Sequence, residues 1–469
     1  MKKNKKSIIV LIIASICMGI FLLNFVRIES DYFWHVKAGE YMFKNGILTH
    51  DVFSWIVNGK YWMSHEWLFE YIIYGLKDLF PMKHILVYNA IFINLLLIVI
   101  VLTNKEKYSK NMLFSLFWIC LSMIFISFMQ ARPHLMSYTL LALSIWVLFD
   151  NYNRKDSKII YLLPLISLVW ANIHGGSSNL PYILCLIFFI AGLVSFKFKK
   201  IESDRISIKQ LKKYILVFIL SIISVCINIH GIKMLLYPYQ NMADTTMLNN
   251  IMEWAPTNLN MPGHYVYILL VLIILIIILI SNKKIRFIDL LLLGVSIFLG
   301  LKSTRFWAYT YIIMSYIVFD YIGENRYGKI VYISILSYSI VLSLFTVFNF
   351  GNIVKRINTY QLDSEMISII KKDNPKRLFN MYDYGGELIF NDIKVFVDGR
   401  ADLYSKYNFN DYLSISNLTG DYVGLINIYD FDYFLVSKDF PIYNYMIHSN
   451  QYMVLYENES YVLYKKIVN

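Results

Sequence analysis

Between residues 29 and 74 the chain sets Glu29, Asp31, His35, Glu40, Asp51, His65, Glu66 and Glu70 among Trp34, Trp55, Trp62 and Trp67. A carboxylate crowded by aromatic rings loses water. It then holds a proton more tightly, which suits it to take one from a hydroxyl. Asp31, Asp51 and Glu66 are the candidate bases, and Glu29, His35 and His65 the candidate substrate contacts beside them. Each has a plainer reading. Asp31 is a good helix N-cap, and Glu66 is equally at home on the wet face of an interfacial helix. His65 and Glu66 together with Asp31 or Asp51 leave a divalent cation open, although no tight ligand spacing such as HExxH is present.

A second group of polar words is basic and hydrogen-bonding. It comprises Gln130-Ala-Arg-Pro-His134, Trp170-Ala-Asn-Ile-His-Gly-Gly176, Asn228-Ile-His-Gly231 and Lys302-Ser-Thr-Arg305. Arginine grips phosphate oxygens in pairs and histidine donates or protonates, so Arg132, His134, Asn172, His174, His230 and Arg305 are candidate ligands of a pyrophosphate or a lipid phosphate. The alternative is that the cations only snorkel to lipid headgroups. The repeated Asn-Ile-His-Gly records either a duplication or two helices that must end near one ligand. Glu253-Trp254 reads as a headgroup anchor ahead of a lid. Asp383-Tyr-Gly-Gly386 and Val397-Asp-Gly-Arg400-Ala-Asp402 read first as turn chemistry.

The elements that must position these groups are apolar. Of the 469 residues 57% are hydrophobic and only 16% charged, which is too little charge to cover a soluble protein of this size. A bilayer-spanning helix needs roughly 17 to 25 residues. Stretches near that length lie at about 7–27, 84–103, 111–130, 135–150, 158–173, 180–197, 213–230, 264–281, 286–302, 305–321 and 329–350, predicting eleven spans. Lysine and arginine concentrate in alternate loops, at Lys2–Lys6, Lys105–Lys110, Arg154–Lys158, Lys197–Lys213, Lys283–Arg286 and Arg326–Lys329. By the positive-inside rule these loops and the N-terminus face the cytoplasm. The basic net charge of +12 follows from those loops and needs no nucleic acid. Every polar word named above then falls on the opposite face. Cys17, Cys120, Cys185 and Cys226 lie inside apolar runs with no metal or redox spacing.

Within the first outer loop, residues 29–83, Ser30 or Asp31 is predicted to cap a helix ending at Asn45-Gly46. Asn58-Gly59 is predicted to turn a hairpin, and Ser64 to cap a second helix carrying Glu66 and Glu70. After residue 350 the composition changes to strand-like runs, RLFNMYD, KVFVDG, YFLVSK, YMVLYE and YVLYKK. The expected architecture is therefore an all-α polytopic membrane domain over residues 1–350, followed by a small α/β extracytoplasmic domain over 351–469.

The words DYFWHVKAGEYMFKNGILTHDVFSW, GKYWMSHEWL, RPHLMSY, WANIHGG and VFVDGRADLY resemble those of a bacterial membrane family placed near the GT-C superfamily of glycosyltransferases. Within that superfamily the chain is most similar to the RgtA/B/C/D-like or protein-mannosyltransferase-like members. The resemblance covers almost the whole chain. The acidic pair that the superfamily carries after its first helix is here Glu29-x-Asp31. The resemblance implies an inverting, multi-pass enzyme of the cytoplasmic membrane with a polyprenyl-phosphate sugar as donor. Asp31, or else Asp51 or Glu66, would deprotonate an envelope glycan, lipid or protein acceptor while Arg and His groups neutralise the departing phosphate. A transporter or flippase, an O-antigen-polymerase-like enzyme and a non-catalytic protein that binds lipid-linked glycans are the rival readings. Transporters place unpaired charges and breaks in mid-helix, whereas here the charges gather at span ends.

Overall fold

The computed structural model describes residues 2–104, 124–154, 157–261, 263–322 and 329–467. Packing divides the chain into two compact units. One holds residues 1–27, 82–243 and 248–357; the other holds 28–81, 244–247 and 358–469.

The first unit is a set of apolar helices. Lys2–Leu22 packs on His84–Thr103 and on Lys329–Phe348, and His134–Asn153 packs on His84–Thr103, Leu180–Leu193 and Trp307–Ile317. Each predicted apolar stretch in the described residues is helical. The expected count of eleven spans is corrected, however. Among the described residues three helical segments are long and apolar enough to cross a membrane: Ile8–Phe25, His84–Thr103 and Gly175–Leu193. A fourth is gained if Ser334–Phe348 and Phe350–Arg356, bent by 60°, count as one. The others fall short for local reasons. Ile208–Cys226 begins with three lysines, Lys209, Lys212 and Lys213. Trp307–Ile317 has only 11 residues. Pro164 sits in the first turn of Leu163–Ile173, where its missing N–H costs nothing, and so marks a helix start. The expected span 111–130 lies up to residue 123 outside the described residues, as do the whole basic loop 105–110, Cys120 and Arg326.

Polar ties hold the helix ends of this unit. Asn24 donates to the Thr346 hydroxyl and accepts from the Asn349 amide. A small sheet joins β1 (Phe196–Phe198) to β2 (Ile201–Ser203) antiparallel, and β2 to β3 (Ile285–Arg286) parallel.

In the second unit, helix Ser30–Asn45 packs on helix Trp67–Leu79. They meet so closely at Gly39 that a Cβ there would stand 2.2 Å from the Glu70 carbonyl oxygen. The expected turn at Asn58-Gly59 is present. Gly59 takes a positive φ of 76°, and Asp51, Lys60, Thr49 and Trp62 exchange ladder hydrogen bonds around it. The predicted caps are corrected. Glu29 precedes the first helix with no side-chain cap, which leaves Asp31 in the first turn. Ser64 spends its hydroxyl on Glu70 at 2.9 Å, so the second helix begins only at Trp67.

The C-terminal residues supply a four-stranded sheet in the order β4 (Leu378–Asn380), β5 (Tyr433–Ser437), β7 (Tyr461–Lys466), β6 (Tyr452–Glu457). β4 and β5 are parallel; β7 runs antiparallel to both β5 and β6. Four of the five strand-like runs enter it. The fifth, around Val395, pairs instead with the first-loop segment: Val395 N–H donates to the Phe53 carbonyl at 3.2 Å and Trp55 N–H to the Val395 carbonyl at 3.1 Å. Trp34, Met42, Phe53 and Trp62 share one apolar core with Phe379, Phe396, Phe434 and Leu435. The loop that the sequence assigned to the helical domain therefore folds with the C-terminal residues, because its aromatic side chains are buried there.

Candidate functional site

In the helical unit the basic words converge on one carboxylate. Arg132 lies just ahead of Pro133, which opens the helix His134–Asn153, and its carbonyl accepts from the Tyr88 hydroxyl at 2.7 Å. Arg305 lies in the short turn Thr304–Phe306 between two helices. Glu253 bridges the two: one oxygen is 3.2 Å from Arg132 Nη1 and the other 3.3 Å from Arg305 Nη1. The Ser303 and Thr304 hydroxyls donate to the Glu253 carbonyl, and the Trp254 ring lies 4.8 Å beneath the Arg305 guanidinium.

His174 completes the group. Arg305 Nη2 is 3.0 Å from its Nε2. A guanidinium only donates, so Nε2 presents its lone pair and the ring hydrogen sits on Nδ1, facing the hydroxyls of Ser137 at 2.7 Å and Ser177 at 3.0 Å. Beneath Arg305 opens a cavity of about 210 Å³. Its walls are mostly aliphatic and aromatic, among them Leu180, Ile183, Leu292, Val295 and Ile313. An apolar hollow with one guanidinium, that of Arg305, in its wall can take a molecule with a hydrocarbon chain and an anionic head.

The other predicted ligands of this unit do structural work. Asn228 donates to the Asn172 side-chain oxygen at 2.9 Å, and Asn172 donates to the Ile227 carbonyl. The repeated Asn-Ile-His-Gly thus ties two helix ends together. His134 turns its Nε2 to the Phe128 carbonyl at 3.1 Å, and His230 is buried in the turn before Ile232–Ala243. Glu253 was missed as a site residue. Its signal was an acidic side chain beside a tryptophan in an otherwise weakly acidic loop.

The second unit gathers the carboxylates. Asp31 accepts from Trp34 Nε1 at 3.2 Å. Its carboxylate lies directly on the backbone of Gly399, where a Cβ would stand 1.7 Å from Oδ1. Close by, Ser30 lies against Gly386, and the Tyr382 hydroxyl donates to the Gly399 carbonyl. Burial, and after it the charge of Asp31, raises Asp383 above the usual carboxylate range.

Asp51 is fully buried and fully used. It accepts from Arg400 Nη1 at 2.6 Å, from the Ser54 hydroxyl and from the N–H groups of Phe53 and Ser54. Arg400 in turn grips Asp398 through two nitrogens at 2.8 and 2.7 Å and lies 4.7 Å from the Trp62 ring. This ion network serves as a structural post. Glu66 belongs to a third arrangement. His35 Nε2 is 3.4 Å from Glu66 and its Nδ1 3.3 Å from Glu70, while His65 Nε2 stands 3.4 Å from the other Glu66 oxygen and Nδ1 4.0 Å from Asp402. Burial opposes the charge of His65, but Glu66 and Asp402 outweigh it and hold the ring above its ordinary pKa. Glu29 is half-buried just ahead of the helix. Among the described residues no group of three or more His, Cys, Asp or Glu is arranged to hold a metal ion.

No protein-family model and no curated protein sequence matches the chain. Solved structures do. The apo oligosaccharyltransferase of Archaeoglobus fulgidus superposes with a TM-score of 0.57 at 11% identity, over 92% of this chain and 69% of that one. The same organism's oligosaccharyltransferase AglB, in complex with an inhibitory peptide and a dolichol-phosphate, gives 0.59 at 10% identity over the same shares. At such identities the likeness is one of fold. This chain is thus similar, over nearly its whole length, to the fold of archaeal oligosaccharyltransferases.

Proposed function

We propose that the chain is a multi-pass glycosyltransferase of the cytoplasmic membrane that takes a sugar from a polyprenyl-phosphate donor and passes it to an envelope glycan, lipid or protein. The observation that carries this reading is Arg305, which lines an apolar cavity while it meets His174 directly and shares Glu253 with Arg132. The cavity suits an isoprenoid chain and the guanidinium groups suit phosphate oxygens. The shared fold with proteins that transfer oligosaccharides, one of them bound to a dolichol-phosphate, supports the same donor chemistry.

In the proposed step an acceptor hydroxyl loses its proton to Asp31 and its oxygen attacks the anomeric carbon. The bond from that carbon to the phosphate oxygen breaks, and the lipid phosphate leaves with the electron pair. One in-line displacement inverts the anomeric centre. Arg132 and Arg305 stabilise the charge that grows on the leaving phosphate, the largest single contribution available to such a reaction. The alternation of basic loops supports a reading with the N-terminus inside the cell and the acceptor chemistry outside.

The test is transfer from a polyprenyl-phosphate sugar by the full chain in lipid nanodiscs. Arg305→Gln keeps the size of the side chain and removes its charge, and is expected to lower kcat/KM by about 10²-fold. Wild-type rates in that variant would show that the arginine pair does not serve the donor.

A further inference from the structure

The segment Gly175–Leu193, one of those long and apolar enough to cross a membrane, runs on into the hairpin of β1 and β2. Leu186, Ile190 and Leu193 are spaced four and three residues apart, so they share one helical face, and all three are exposed. The exposed apolar surface continues past the helix end. Phe196 and Phe198 of β1 stand opposite Ser203 and Ile201, on the face of the hairpin that carries the buried Ser203. Phe196 packs on the Phe287 ring at 5.2 Å, whereas Phe198, on the edge strand of the sheet, is 62% exposed.

The same hairpin is basic. Residues 196–213 and 281–289, which contain its strands, hold ten Lys and Arg against three Asp and Glu. Two of the lysines hold the hairpin in place. Lys200 Nζ donates to the Leu279 and Ser281 carbonyls at the end of the apolar helix His264–Ile280, both at 3.1 Å, and Lys284 Nζ donates to the Lys199 carbonyl at 3.2 Å. Lys199 itself sits in the two-residue turn between Phe198 and Ile201 with a φ of 52°. Such turns favour Asn-Gly or Asp-Gly, because positive φ strains a residue with a long side chain. The position is given instead to a cation, whose Nζ lies 5.7 Å from the exposed Phe198 ring.

We infer that this hairpin is a docking site for an anionic phospholipid of the surrounding bilayer. The lipid's acyl region lies against Phe198 and the apolar helix face that leads to it, and its phosphate meets Lys199 in the field of the neighbouring basic residues. A free anion would use the charge but leave the aromatic edge in water; a phospholipid covers both. A lysine near an anionic lipid surface strengthens binding by about fivefold.

The experiment places the full chain in nanodiscs of equal parts phosphatidylcholine and phosphatidylglycerol and counts, by native mass spectrometry, the lipids it keeps on transfer to detergent. Wild type is expected to keep phosphatidylglycerol over phosphatidylcholine by about fivefold or more. Lys199→Asn suits the turn and removes the charge, so it should melt no lower than wild type while losing about fivefold of that preference. Phe198→Ser should lower retention of both lipids, and Phe198→Trp should preserve it. Replacing the exposed Lys371 and Lys372 of the second unit by Gln removes charge without touching the hairpin and should leave the preference intact. Equal retention of the two lipids by wild type, an unchanged preference in Lys199→Asn, or an equal loss in the Lys371 and Lys372 variant overturns the site. Displacement of the lipid by sodium phosphate beyond that by sodium chloride of the same ionic strength would mark a free-anion site and overturn it as well.

Discussion

Arg400→Leu is expected to destabilise the second unit by about 3–5 kcal/mol, the usual cost of removing one partner from a buried ion network. Arg400 is 1% exposed and both its carboxylate partners are fully buried. Without it Asp51 keeps the Ser54 hydroxyl and two N–H donors, but Asp398 keeps only the Tyr404 hydroxyl and the N–H of residue 400. Two negative charges would then face each other in an apolar core. The network also joins the first-loop residue Asp51 to the C-terminal turn, so its loss should loosen both parts together. Thermal unfolding and limited proteolysis of the full chain report this: the variant should melt well below wild type and be cut within residues 28–81 and 358–469. A melting temperature within a degree or two of wild type would mean that the guanidinium does not hold the unit. Replacing Asp51, Asp398 and Arg400 together with apolar residues is expected to restore most of the loss, since the cost comes from uncompensated charge.

The second large effect concerns Asp31. Asp31→Asn preserves the size of the side chain and its contact with Trp34 but cannot take a proton. Transfer is expected to fall by about 10²–10⁴-fold, the span of a general base. Gly399→Ala should approach the same loss with the carboxylate intact, because its Cβ would stand 1.7 Å from Asp31 Oδ1 and 2.9 Å from Trp34 Nε1. The carboxylate must then leave its seat. The pair separates chemistry from folding: Asp31→Asn should melt near wild type, and Gly399→Ala should lose transfer in proportion to the displacement of Asp31. Full transfer in Asp31→Asn removes that residue from the proton step.

A pH profile adds a further reading to the same pair of variants. Burial and the charge of Asp31 both hold Asp383 above the usual carboxylate range. Asp31→Asn removes the second cause, so Asp383 should ionise at lower pH in that variant. Carboxyl infrared bands followed against pH would register the change without any transfer assay.

The way these groups came together separates what can be read locally from what cannot. Apolar runs such as 84–103 and 264–280 are helices because nearly all their residues are apolar over a helical length, and that is a property of the run itself. The turn at Asn58-Gly59 follows from a glycine that accepts positive φ. Whether a run is long enough to cross a bilayer depended on where lysines, prolines and short turns ended each helix, and there the count read from composition ran too high. The capping roles of Ser64 and Asp31 also failed as local rules. A hydroxyl or carboxylate chooses among all nearby partners, and Glu70 and Trp34 were closer at hand than the helix ends.

From sequence alone came the apolar helices, their loops, and the presence of acidic, basic and imidazole groups near span ends, since each of these depends on residues within a few positions of one another. Tertiary structure decided the partners. Arg400 meets Asp51 from 349 positions away, and Glu253 meets Arg132 from 121 and Arg305 from 52. Which carboxylate is tied into a core and which lies between two arginines is set by long-range packing. A charge takes whichever partner the fold brings within hydrogen-bonding reach, and no local pattern records that choice.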